Sequence, residues 1–254
     1  MGTSQSHKLK TGPNWAEAKR SITSVANERG NNDENCKKFA YSFSNALGDD
    51  VYRNNRRRSG RSLFGNAGAR MSNNLVSFIE DVRSNGLAGV LQIGGLPADQ
   101  QPAEKKDFIE KILSYLSGEH DSSMDDVAAI YAMDKLLDDI LADCETQEEI
   151  EQKIKNATEE DLVNWIVSFE IEYILEYSAE LFQSHIFSKC DNPERVLSHI
   201  RNWLHRELDE KLTDNLKEVN LDSQEGKKIL DNLTAEILEI YDSEIILPNI
   251  LECI

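Results

Sequence analysis

Met1 is followed by Gly2 in the opening sequence MGTSQS, and this glycine could take part in acyl-transfer chemistry. Removal of Met1, which is expected before a small residue, leaves a free α-amine on Gly2. Such an amine has a pKa of about 7.7–8.0 and is substantially deprotonated at neutral pH, unlike a lysine. Glycine also lacks a Cβ, so its backbone can enter a narrow site. Gly2 is therefore a candidate acceptor of an acyl group.

Two other interpretations of the same residues stay open. Gly2 and Ser6 match the M-G-x-x-x-[ST] pattern of N-myristoylation. The opening residues are also small and polar, which is typical of an ordinary flexible tail without a modification.

A second set of side chains that could bind a ligand lies in the arginine segment, which we define as residues 53–70. Residues 1–70 hold 13 Lys and Arg against 6 Asp and Glu, and the remainder holds 15 against 40, so the net charges are +7 and −25. Arginine presents a planar fork of donors that suits phosphate. The candidate residues for binding nucleic acid or another anion are Arg56, Arg57, Arg58, Arg61 and Arg70.

The arginine segment also has an alternative role. It could be neutralised by the acidic remainder of its own chain or by an acidic partner. The net charge of −18 also repels a long polyanion everywhere except at this segment.

Catalytic, metal-binding and cofactor-binding patterns are not recognisable in the sequence. The four cysteines form no C-x-x-C pair, and His199 and His205 are six residues apart, which places them on different faces of a helix. The sequence GNAGAR at 65–70 lacks the lysine and the preceding hydrophobic strand of a phosphate-binding loop. We therefore predict no catalytic residue, no metal site and no cofactor, and expect a protein that is not an enzyme.

Helical periodicity dominates the chain, and the predicted fold is all-α, an irregular multi-helix bundle. The second half combines apolar spacing with start signals at Ser123, Thr146, Thr158 and Asn192. In the helix after Ser123 the predicted buried stripe is Val127, Ile130, Leu137, Ile140 and Leu141. The first half predicts shorter helices at 14–29, 33–47, 69–83 and 103–117, and residues 90–93 are the one plausible strand.

The distribution of glycine and of charged residues along the sequence divides it into three regions. Residues 1–13 are a flexible N-terminal tail, residues 14–118 an N-terminal helical region with a basic, glycine-rich loop at 49–68, and residues 119–254 an acidic C-terminal helical bundle. No apolar run approaches the roughly 20 residues that span a bilayer, and the first residues lack the apolar core of a secretory signal. We expect a cytoplasmic protein without a membrane partner.

Several short motifs, in order, resemble the QatB family, the B component of the bacterial Qat (Qatuor) anti-phage defence system. They are the MGTSQS start, Gly12-Pro13 with Trp15 after it, the helix end Ala46-Leu47-Gly48, and the passage through the arginines into Ala69-Arg70-Met71. An all-helical acidic remainder completes the resemblance. The chain differs in a shorter Gly/Pro-rich spacer before Trp15.

The resemblance implies a non-enzymatic protein encoded beside an ATPase (QatA), a QueC-like enzyme (QatC) and a TatD-like nuclease (QatD). QueC enzymes activate a carboxyl group with ATP and join it to ammonia. A QueC-like relative could join a 7-deazaguanine carboxylate to a protein amine instead, and Gly2 stands where that chemistry needs an amine. Because bacteria generally lack N-myristoyltransferase, the resemblance also disfavours myristoylation. The alternative is a module that binds nucleic acid, or docks the ATPase or nuclease, through the arginine segment.

Overall fold

Helices account for the regular structure of the described part of this chain, as the apolar spacing predicts. In a computed structural model, the residues described are 13–27, 32–55, 66–93, 102, 104–118, 123–186, 192–217, 219–231 and 233. Among these residues there is no β-strand, and the all-α prediction is confirmed. No helix in the described ranges is long and apolar enough to cross a membrane.

The helices are numbered in chain order. They are α1 (Pro13–Ala26), α2 (Asn32–Asn55), α3 (Asn66–Asn85), α4 (Leu87–Val90), α5 (Lys105–Ser117), α6 (Met124–Ile140), α7 (Gln147–Lys155), α8 (Glu159–Ile186), α9 (Pro193–Lys217) and α10 (224–231).

Helix starts in the second half follow the capping residues that the sequence indicates. The Ser123 hydroxyl accepts the N–H of Asp126 at 3.1 Å, and the Asp126 carboxylate accepts the N–H of Ser123 at 3.2 Å. Each bond satisfies an amide that the first helical turn leaves without a partner. The same reciprocal pairs form between Thr146 and Glu149 and between Thr158 and Asp161, and Asn192 accepts the N–H of Arg195.

The region around the arginine segment differs from its predicted loop. Helix α2 passes through Gly48 and continues to Asn55, because a glycine inside a helix costs only about 1 kcal/mol and does not by itself end it. Helix α3 begins at Asn66 rather than at residue 69, since a carboxylate from another helix accepts the N–H of Ala67. Helical structure therefore covers both ends of the predicted 49–68 loop.

The strand predicted at 90–93 is wrong. Residues Leu87–Val90 form the helical turn α4 instead. Leu87 is fully buried, and its N–H donates to the Glu151 carboxylate at 3.0 Å. This hydrogen bond gives the first N–H of α4 an acceptor from a residue 64 positions away. The apolar sequence at 90–93 gave no indication of such a contact.

The chain divides into two compact units. The described residues of one unit come from Met1–Arg61 and Ser178–Trp203, and those of the other from Ser62–Tyr177 and Leu204–Glu236. In the first unit α1 packs against α2; in the second α3 packs against α5, α6 and α7. This division differs from the predicted one at residues 118 and 119, because α3 and α5 share a core with helices that follow them.

Gly226→Ala is expected to lower the free energy of unfolding by about 1–3 kcal/mol, because a Cβ there has no space. An added Cβ would lie 2.4 Å from the Asn220 carbonyl oxygen and 2.5 Å from the Cα of Leu221, and both are backbone atoms. Urea unfolding would measure the change. The matched control is Gly89→Ala, whose Cβ would lie 3.6 Å from the nearest atom, the Cβ of Asn85. Equal midpoints for the two variants would contradict the prediction.

Candidate functional site

Of the residues predicted to bind anions, Arg70 is the one within the described ranges. Gly2, Arg56, Arg57, Arg58 and Arg61 lie outside the described residues. Arg70 lies in the first two turns of α3, and its Nη2 donates to Oδ1 of Asp126 on α6 at 2.5 Å. The arginine side chain is one-third exposed, whereas the carboxylate is buried. At this position, therefore, the chain itself supplies the partner of the arginine.

Asp126 joins the start of α6 to α3. Its carboxylate accepts the N–H and hydroxyl of Ser123 as well as the guanidinium of Arg70. Burial raises the pKa of Asp126, but the hydrogen bonds from Arg70 and Ser123 outweigh burial and leave it below its ordinary value. The Asp126 carboxylate is therefore ionised at neutral pH.

Asp125, the preceding residue, holds the first turn of α3. Its side chain is nearly inaccessible, with 6% of the residue exposed. Oδ2 accepts the N–H of Ala67 at 2.9 Å, and Oδ1 accepts the hydroxyl of the fully buried Tyr173 on α8. A carboxylate at a helix N-terminus satisfies a free amide and interacts favourably with the helix dipole. One side chain of α6 thus fixes both the start of α3 and a tyrosine of α8.

A third carboxylate connects α3 to α8 within the core. Glu170 has no exposed surface and accepts the hydroxyl of Ser72 at 3.1 Å. Two nearby aromatic residues of α8, Phe169 and Tyr173, stack with their ring centroids 5.9 Å apart. We call the seven residues that share these bonds the α3–α6–α8 network: Ala67, Arg70, Ser72, Asp125, Asp126, Glu170 and Tyr173.

The network is suited to holding the first turns of α3 in a fixed position. Its three carboxylates are buried in the core, and their hydrogen bonds connect three helices at the residues where α3 begins. Asn66, the first residue of α3, follows Arg61 by five positions, so the network holds the helical turn that comes next after Arg61 in the sequence.

A cavity of about 270 Å³ lies in the same unit, beside α3, the start of α8 and the end of α9. Apolar side chains line it together with five charged residues, namely Glu80, Arg83, Glu159, Glu160 and Asp222. Arg83 pairs with Glu80 and donates to the carbonyl oxygen of Ala157 at 2.5 Å. The Arg83 guanidinium at this cavity therefore already bonds to other groups of the chain.

Sequence reasoning did not identify Asp125, Ser72 and Glu170 as candidate functional residues. The predicted stripe of α6 was partly wrong, because Val127 is 37% exposed and Ile130 and Ile140 are half-buried. The buried face instead carries three small side chains, Ala128, Ala129 and Ala132. Asp125 lies on that same face, since residues three and four apart are neighbours on a helix. Alanines at this spacing after an aspartate are the signal that could have revealed the network.

Further comparisons add no chemistry to this site. Among the described residues, no group of three or more His, Cys, Asp or Glu side chains could hold a metal ion. Comparison with known protein families, with curated proteins and with solved structures finds no match to the chain.

Proposed function

We propose that the protein is a non-enzymatic component of a bacterial anti-phage defence system, where it serves as an adaptor and as the substrate of a QueC-like enzyme. In this proposal the enzyme activates a 7-deazaguanine carboxylate with ATP in the cytoplasm. The α-amine of Gly2, freed by removal of Met1, attacks the activated carbonyl carbon. The group that ATP placed on the carboxylate leaves as its bond to the carbonyl carbon breaks. The nitrogen loses a proton, and an amide bond forms.

The observation that carries this proposal is the distance along the chain between Gly2 and the first packed residue. Pro13 begins α1, and Trp15 is only 4% exposed, with its ring edge-on to Phe43 at 5.9 Å. The eleven Cα–Cα steps from Gly2 to Pro13 can span at most about 40 Å. That covalent length is sufficient for Gly2 to enter a recessed active site while α1 stays packed.

The α-amine is also the best nucleophile among the amines of this region. Lys8 and Lys10 lie in the same stretch, but an ordinary lysine has a pKa of about 10.4 and is protonated at neutral pH. A free glycine amine is deprotonated to a useful extent at the same pH. The proposal therefore specifies Gly2 and not a nearby side chain.

Co-expression with the neighbouring genes tests the proposal. We expect the intact mass and the N-terminal peptide mass to show an addition on Gly2 that is absent when the protein is expressed alone. The addition should disappear with an inactive QueC-like partner and in Gly2→Pro, whose secondary amine is hindered. Lys8→Arg and Lys10→Arg are the matched controls and should keep it.

An unmodified glycine terminus in the presence of a demonstrably active partner would refute the conjugation. An addition found on Lys8 or Lys10 would refute the choice of Gly2.

A further inference from the structure

Helices α5 and α6 border an open groove that the α3–α6–α8 network does not use. We call it the α5–α6 groove; its volume is about 950 Å³ and it lies within one compact unit. Ile109 and Leu113 of α5 and Ile130 and Tyr131 of α6 supply its apolar surface. Tyr131 is 58% exposed, the largest value among the large hydrophobic residues in the described part of the chain. The fold therefore leaves an aromatic ring in water at the groove.

Carboxylates surround this apolar surface. Five line the groove, namely Glu104, Glu110, Asp134, Asp138 and Glu145, against the two ammonium groups of Lys105 and Lys106. Lys105 donates to the carbonyl oxygen of Ala142 at 3.3 Å, and Lys106 is 3.9 Å from Glu110. Negative charge is thus in excess by three at the groove.

Asp134 shows the effect of this excess. Burial, followed by the charges of Asp138 and Glu110, raises the pKa of Asp134, and the opposing influence of Lys106 is smaller. A carboxyl group with a raised pKa is harder to ionise in the folded protein than in water. A cation brought into the groove would relieve the repulsion and favour the ionised form.

We propose that the α5–α6 groove binds a basic amphipathic helix of a partner protein. Apolar side chains of the partner pack on Tyr131 and Ile130, and its Lys or Arg side chains pair with Asp134 and Asp138. These two carboxylates are four residues apart on α6, about 6 Å along the helix axis, which matches basic side chains one turn apart on a facing helix. An exposed aromatic ring beside carboxylates can also pack against the methylene groups of a Lys or Arg side chain while the carboxylates pair with its charged group. The inference is independent of any modification at Gly2.

Fluorescence anisotropy of the full chain with a labelled Leu/Lys peptide, patterned as an amphipathic helix, tests the proposal. We expect Asp138→Lys to weaken binding about tenfold, the effect of roughly 1.4 kcal/mol in the free energy of binding. Asp139→Lys is the matched control: it is exposed, follows Asp138 on the same helix and changes the net charge equally, but it does not line the groove. Tyr131→Ala should weaken binding about fivefold or more. Circular dichroism would show that each variant keeps its helices.

Three results would overturn the proposal. The first is no binding by the wild-type chain. The second is equal weakening by Asp138→Lys and Asp139→Lys, which would mean that the peptide responds only to the total charge. The third is unchanged binding in Tyr131→Ala together with complete displacement of the peptide by spermine, which would assign the groove to small polyamines.

Discussion

Replacing Phe43 by alanine is expected to lower the free energy of unfolding of the unit that contains α1 and α2 by about 3–5 kcal/mol. Phe43 is 1% exposed, meets the edge of Trp15 and stacks on Phe39 with ring centroids 5.5 Å apart. Its removal deletes buried apolar surface and leaves a cavity between two other aromatic rings, which cannot close without moving both helices. Urea unfolding gives the magnitude, and hydrogen exchange should locate the loss of protection in α1 and α2.

The control for Phe43→Ala is Tyr131→Ala, which removes a ring of similar size from an exposed position. That change is expected to stay within about 0.5 kcal/mol of the wild type. Equal unfolding free energies for the two variants would show that Phe43 does not form a core.

Asp125→Ala is expected to destabilise the other unit by about 3 kcal/mol. The change leaves the N–H of Ala67 and the hydroxyl of Tyr173 without the acceptor that each now has, and a buried donor without its acceptor costs about 1–3 kcal/mol. Asp125→Asn keeps an acceptor oxygen and should cost less. Asp139→Ala, an exposed aspartate of the same helix, is the control and should be nearly neutral. Chemical denaturation measures all three.

A double-mutant cycle with Tyr173→Phe separates the energy of the Asp125–Tyr173 hydrogen bond from the other effects of each substitution. Once Asp125 is gone, removing the hydroxyl of Tyr173 no longer breaks a bond to it, so the double variant should lose clearly less stability than the sum of the single variants. The phenylalanine ring can retain its stacking on Phe169. Additive losses would contradict the assigned bond.

The fold class and the helix starts of the second half could be predicted because their causes are local. Ser123 and Asp126 are three residues apart, and their two hydrogen bonds form within one turn. The buried face of α6 could not be read in the same way. Strongly apolar Val127 is exposed, whereas alanines and Asp125 are buried, because close packing of helices selects small side chains and the network selects a carboxylate.

The contacts of the candidate site depend on residues far apart in sequence. Arg70 and Asp126 are separated by 56 positions, and Ser72 and Glu170 by 98. No periodicity or capping pattern connects such residues, since only the tertiary packing of α3, α6 and α8 brings them together. Binding of nucleic acid through Arg56, Arg57, Arg58 and Arg61 stays a prediction, as does docking of the ATPase or nuclease through them.

Asp125 has a consequence for any phosphate that those arginines would bind. Helix N-termini commonly bind phosphate through their free amides, and α3 begins just after the arginines in sequence. In this protein a resident carboxylate already bonds to the Ala67 amide of that turn, so it acts as an internal competitor. A phosphate group would have to displace Asp125 from Ala67 to use the same amide. Anion binding here would therefore depend on the arginine side chains and on ionic strength, without help from this amide of α3.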